Sequence, residues 1–182
     1  MTYPPASAVE VIDFWREAGP NLWFAKNVEF DQRFHDRFLH LHDDAARGGL
    51  RHWLETSAGA LALVLLLDQF PRNAFRDTPR MYATDEFARE IAAKAIDTGF
   101  DCDVEPQLQG FFYLPFGHSE SLSDQERAVT LATRLGGPFL SHAEGHRDII
   151  RRFGRFPHRN PILGRESAEE ERRFLEEGGY TG

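Results

Sequence analysis

The chain has 182 residues, 29 acidic against 21 basic, for a formal net charge of −8, with 41% hydrophobic and 27% charged side chains. That balance fits a soluble globular protein long enough to bury a sizeable core, read as a single all-helical domain over residues 1–182, and it excludes a disordered tract or a collagen-like repeat. The acidic balance argues against nucleic acid as a partner, because phosphate contacts need a surplus of Lys and Arg.

One cysteine, Cys102, excludes an internal disulfide and suits a reducing cytosol. Met1 to Glu10 shows no basic segment followed by an apolar one, so no signal peptide is expected. The longest apolar run, Ala60 to Leu67, is roughly half of the about 20 residues that a membrane span needs. A cytoplasmic protein without membrane attachment is the expectation.

Taken in order, Ser7 is positioned to cap a first helix reaching about Glu17, with Ala8, Val11, Ile12 and Trp15 on one face. Gly19-Pro20-Asn21 breaks it. Leu22-Trp23-Phe24 lays aromatic bulk across the connection as packing. The spacing of Phe30, Phe34, Phe38, Leu41 and Ala45 predicts a second helix over about 28–47, ended by Gly48-Gly49. Arg51 to Glu55 reads as a short helical turn. Residues 58–70 then form the central element. Its apolar positions run without a gap, so the helix must be buried on every side. Ser57 is its expected N-cap, and Pro71 forbids easy continuation.

Thr84 is expected to cap a helix carrying Phe87, Ala88, Ile91, Ala92 and Ala95, closed by Gly99. Pro106 suits the first turn of a short helix through Phe112. Ser123-Asp-Gln-Glu126 and Ser167-Ala-Glu-Glu170 have the spacing of capping boxes and open two further helices. Between them lies a helix of about 139–153, capped by Gly154, and an extended loop from Arg155 to Arg165. No strand pattern and no clean 34-residue repeat appear. Short turns between successive helices imply an all-α protein of antiparallel helix hairpins around the buried central helix.

Polar groups cluster at a few places. Asp68 sits near the end of the most buried helix, where an unpaired carboxylate costs several kcal/mol; Arg72, Arg155 and Arg159 are its candidate partners. His118 and Glu120 lie in an irregular segment, two residues apart, as an acid–base pair would require. The i, i+4 pair His142 and His146 falls on the apolar face of its helix, which favours buried, hydrogen-bonded imidazoles over metal ligands. Between Gly145 and Arg165 six arginines face a single acid, Asp148. With His158 and Asn160 they could form an anion site, or they could pin the loop to acids such as Glu120. A short echo links Phe70-Pro-Arg-Asn73 to Phe156-Pro-His-Arg-Asn160.

Leu67-Asp-Gln-Phe-Pro-Arg-Asn73, Phe111-Phe-Tyr-Leu-Pro-Phe-Gly-His-Ser-Glu120 and Phe153-Gly-Arg-Phe-Pro-His-Arg-Asn160 with Leu163-Gly-Arg165 resemble the family known as domain of unknown function 924. Asp13-Phe-Trp15 and Trp23-Phe24 fit its N-terminal part, while Arg16-Glu17 departs from it. The resemblance covers nearly the whole chain. It implies a tetratricopeptide-like fold of antiparallel helix pairs and brings no activity with it.

The leading functional expectation is a binding module that holds a small anionic molecule or an acidic peptide end. Its candidate residues are Arg72, Asn73, His118, Glu120, Arg155, His158, Arg159 and Asn160, with no metal and no cofactor. One alternative is a small hydrolase-like enzyme using His118 and Glu120. The other is a structural or protein-interaction domain in which the same cluster is an internal network. Oligomeric state is not readable from the chain.

Overall fold

Proline inside a helix removes one backbone donor and presses its ring on the preceding turn, yet the central helix of this protein runs straight through Pro71. The computed structural model describes residues 3–182, and every regular element among them is helical. The chain divides into two compact units, residues 1–76 with 80–115, and residues 77–79 with 116–182.

The first unit contains α1 (Ala6–Ala18), α2 (Pro20–Trp23), α3 (Val28–Ala46), α4 (Ser57–Val64), a π-helical turn (Leu65–Gln69), α5 (Phe70–Ala74), α6 (Asp85–Thr98) and α7 (Pro106–Gln109). Every residue from Gly59 to Pro71 is buried, as its unbroken apolar pattern requires. Thr56, not Ser57, caps α4: its Oγ1 accepts the Gly59 N–H at 3.1 Å. A Cβ on Gly59 would come within 2.1 Å of the Trp53 carbonyl oxygen, so only glycine fits under that turn. Around α4, the predicted stripe Phe30, Phe34, Phe38, Leu41 and Ala45 is buried. Phe14 of α1 lies 5.2–5.3 Å from the rings of Phe30, Phe34 and Phe38. Trp23 stacks near Trp15 and donates its indole N–H to the Trp15 carbonyl at 2.6 Å.

Pro71 does not end the helix. Phe70 N–H reaches back five residues to the Leu65 carbonyl, which widens the turn and carries the chain on to Ala74. An N–H at position 71 would have served Leu67 in an α-turn or Leu66 in a π-turn. Side chains replace it. His42 Nδ1 lies 2.9 Å from the Leu66 oxygen, and Thr84 Oγ1 donates to the Leu67 oxygen at 2.5 Å. Thr84 stands at the N-cap of α6, but its hydroxyl is committed to Leu67 and makes no cap bond.

α8 (Leu114–Gly117) spans the division between the units. The second unit then contains α9 (Leu122–Ala132), α10 (Gly137–Phe153) and α11 (Glu169–Glu176). α9 and α10 pack together across a short turn, with Ala128, Leu131, Ala132, Ile150 and Phe156 buried. Gly154 closes α10 in the left-handed conformation, φ 71°. Three further cap expectations shift. Ser7 lies inside α1, Ser123 lies inside α9 after Ser121, and α11 is opened by Ala168, whose N–H donates to Glu171 rather than Glu170.

His42→Phe and Thr84→Val each keep an apolar body of similar size and strand one buried carbonyl. Each should lower unfolding free energy in urea by about 1–3 kcal/mol. Burial holds the His42 pKa below 6.5, despite its bond to the Leu66 carbonyl. Its share of stability is therefore present at neutral pH and is lost as pH falls below the unfolded value of 6.5. His42→Phe should remove that part of the acid sensitivity.

Candidate functional site

In the first unit Asp68 is fully buried, and Arg72 is one of its partners, with Nη1 3.3 Å from Oδ1. The same guanidinium forks onto Asp85 at 2.7 and 2.9 Å and donates to the Asp68 carbonyl at 2.8 Å. Gln69 Nε2 donates to the other Asp68 oxygen at 2.6 Å. Asn73 donates its amide to Asp31 at 2.8 Å, and Arg76 binds the same carboxylate through Nε at 2.5 Å.

The second unit gathers Glu120, Arg155, His158, Arg159 and Asn160 around the turn after α10, with Arg159 also reaching back to His118. Glu120 accepts the Phe156 backbone N–H at 2.8 Å and both arms of Arg165 at 2.7 and 2.9 Å. Partial burial would raise the Glu120 pKa, but the Arg165 fork and the Phe156 N–H outweigh it and hold the carboxyl below 4.5. Arg155 forks onto Glu171 at 2.6 and 2.8 Å. That carboxylate also accepts from Ala168 N–H and from the Asn160 amide at 3.2 Å. Arg155 is the main reason the Glu171 pKa falls to about 2. Arg159 donates to the His118 carbonyl at 3.0 Å, and its guanidinium lies 4.5 Å from the centre of the Phe156 ring.

These contacts account for the arginine run. Arg147 pairs with Asp148, Arg151 with Glu126, Arg152 with Glu170, Arg155 with Glu171 and Arg165 with Glu120. Most of those acids come from outside the run, so its excess of positive charge is balanced locally. The sequence echo is also a structural one. Asn73 and Asn160 are both buried, and each donates to a carboxylate that an arginine holds from another side.

Beside this network the second unit opens a cavity of about 450 Å³. Its apolar lining comes from Gly145, His146, Ile149 and Phe153 on α10, Phe174 on α11 and Tyr180 after it. The exposed Ser141, His142, Asp148 and Arg152 complete it. His142 is therefore not the buried imidazole expected from its helical face, because that face opens into the cavity and Ile150 is the buried residue of α10. His146 is half-buried, with Nδ1 3.1 Å from the Gly117 oxygen. Burial, helped by the neighbouring His118 and His142, drives its pKa to about 3. Gly145 sits in mid-helix, where a Cβ would meet no atom within 4 Å. No group of three or more His, Cys, Asp or Glu side chains among the described residues is arranged to hold a metal ion.

Sequence reasoning passed over the cavity and Glu171, and it left Arg165 out of the candidate cluster although the arginine run containing it was read as one that could pin the loop to Glu120. Phe153 was legible only as a core position. The one available signal was Gly145, a poor helix former inside an otherwise regular helical stretch.

An all-helical protein with paired arginine–carboxylate frames and an apolar cavity in its second unit is what these features define. The chain belongs to the family described as bacterial protein of unknown function, DUF924, which it matches over residues 11–179. A solved structure of a protein of unknown function from Agrobacterium tumefaciens is similar at 57% identity, covering 95% of this chain and 98% of that one with a TM-score of 0.94. Nothing among the curated proteins matches.

Two acid limbs are expected in a plot of stability against pH. His146 is kept neutral, so its contribution is complete above the unfolded value of 6.5 and is lost as pH falls towards about 3. Glu120 and Glu171 are kept ionised, so theirs is complete above 4.5 and is lost below it, for Glu171 as pH approaches about 2. Urea unfolding at stepped pH should show both, and a curve flat from pH 7 to 5 would contradict the His146 assignment. Glu120→Ala frees Arg165 and the Phe156 N–H together and should cost about 1–3 kcal/mol at pH 7.

Proposed function

We propose that this protein is a small-molecule binding module whose ligand seat is the cavity between α10 and α11, with the Arg/His/Asn/Glu cluster acting as the frame that holds that seat in shape. The observation that carries the reading is the lining itself. An opening of about 450 Å³ walled by Phe153, Phe174, Tyr180 and Ile149 has the size and apolar character of a ligand pocket.

The charges support it from the other side. An anion bound by Arg72, Arg155 or Arg165 would have to displace a carboxylate of the same chain, which is present at high effective concentration. Glu120 is held so firmly as an anion that it makes a weak general base, which disfavours the hydrolase alternative. A cytoplasmic setting belongs to the same reading and rests on the single, exposed Cys102. No helix among the described residues is long and apolar enough to cross a membrane.

A thermal-shift screen should compare small apolar and aromatic compounds with phosphorylated metabolites, carboxylates and acidic peptides. A ligand at 100 times its dissociation constant adds about 2.7 kcal/mol of stability. Apolar compounds should give the shifts. Gly145→Leu places a side chain in the open volume and improves helix propensity by about 0.5–1 kcal/mol, so it should keep the fold and abolish those shifts. Shifts from anions only, lost in Arg155→Ala, would move the site to the arginine cluster and sink the cavity reading.

A further inference from the structure

The cavity lining also holds an imidazole whose tautomer the structure fixes, His146. The Gly117 carbonyl can only accept a hydrogen bond, so the ring nitrogen facing it, His146 Nδ1 at 3.1 Å, must carry the proton. An imidazole that stays neutral has no second proton to give, and His146 stays neutral well below physiological pH because burial and two neighbouring histidines oppose its charge. Nε2 is therefore a lone-pair acceptor. It has no hydrogen-bond partner among the described residues, and it is not sealed away from solvent.

The surroundings narrow what could meet it. Tyr180 lies 4.6 Å from the His146 ring and Phe174 lies 5.1 Å from Phe153, so the walls are built largely of aromatic rings. Gly145 leaves a stretch of α10 without a side chain one residue away from His146, which lets a flat group approach the helix. The charged residues in the lining are matched, Asp148 by Arg147 and Arg151, and Arg152 by Glu170. A bound carboxylate or phosphate would set its own lone pairs against Nε2, and a cation would find its only lining carboxylate already paired.

Resting on the reading of this cavity as the ligand seat, we propose that it takes a neutral aromatic molecule that donates an N–H or O–H to His146 Nε2, as an indole or a phenol can. The ring fills the space over Gly145 between the aromatic walls, and the donor fixes its orientation.

Indole and benzofuran test this on the full chain, since they share size and shape and differ in the N–H. In calorimetric titrations indole should bind about tenfold more tightly than benzofuran. In His146→Phe the two should bind equally. Equal affinities in the wild type, or a preference that survives His146→Phe, would overturn the donor assignment while leaving the cavity as a seat for apolar molecules. Binding of neither compound, or binding unaltered by Gly145→Leu, would overturn the cavity reading and this proposal with it. Should His146→Phe fail to fold, the nitrogen-15 shift of Nε2 in the wild type decides. Indole should move it as a donor does, and an equal response to benzofuran would refute the proposal.

Discussion

A missing backbone donor at Pro71 organises the first unit. In water the two carbonyls it would have served could bond to solvent, but Leu66 and Leu67 are fully buried and have no such recourse. The structure resolves this with a π-turn and with donors from two other elements, His42 on α3 and Thr84 at the start of α6. Each bond satisfies a carbonyl and, by doing so, fixes the height and rotation of a neighbouring helix against the central one. Packing alone is tolerant of small slides between apolar surfaces; a single donor aimed at a single carbonyl is not. Asp68, on the same turn, is held by Arg72, which in turn holds Asp85 at the start of α6, so a third connection ties the same region together.

The second unit uses ion pairs where the first uses apolar mass. Its core is small, and the turn after α10 contributes few apolar residues besides Phe156. What orders that turn is a set of forks. Glu120 takes the Phe156 N–H and Arg165, and Glu171 takes Arg155, Asn160 and the N–H of Ala168 just before α11. A carboxylate with several donors is a junction, and each junction here joins segments distant in sequence. The parallel with Asp31, held by Asn73 and Arg76, shows the same device in the first unit. Polar residues that look like a binding constellation in a linear sequence can therefore also be engaged in holding the chain together.

That explains which parts of the structure were legible beforehand. Helix existence was readable wherever a long apolar stripe recurs, as in α3 and α6, because the 3.6-residue period is imposed by burial and needs no distant information. The continuous run from Ala60 to Leu67 announced its complete burial for the same reason. Pro71 was misread as a stop because the local rule is sound and the exception depends on side chains 29 and 13 positions away in sequence. Thr84 was correctly placed at the start of α6 and wrongly given a capping bond, since a competing carbonyl takes its hydroxyl. The second capping box slid by one residue because Glu171, not Glu170, has Arg155 and Asn160 to hold it. Candidate site residues were chosen for their chemistry, and their partners across the fold, which decide whether that chemistry is available, leave no mark in a single sequence.

The cavity is harder to account for as an accident of packing. Gly145 weakens the middle of α10 by about 1 kcal/mol relative to alanine, and no neighbouring atom requires the small residue. The opposite wall is placed with more care. Gly178 adopts φ 86°, and a Cβ on Gly179 would lie 2.5 Å from the Phe174 oxygen, so a glycine pair is what lets the chain turn sharply after α11. That turn returns Tyr180 to the side of the His146 ring, 4.6 Å away. One side of the opening is thus kept bare at a small loss of helix stability, and the other is built by a turn that few residues other than glycine can make. A bare stretch of helix on one side and a glycine-built turn on the other are what give the opening its two walls.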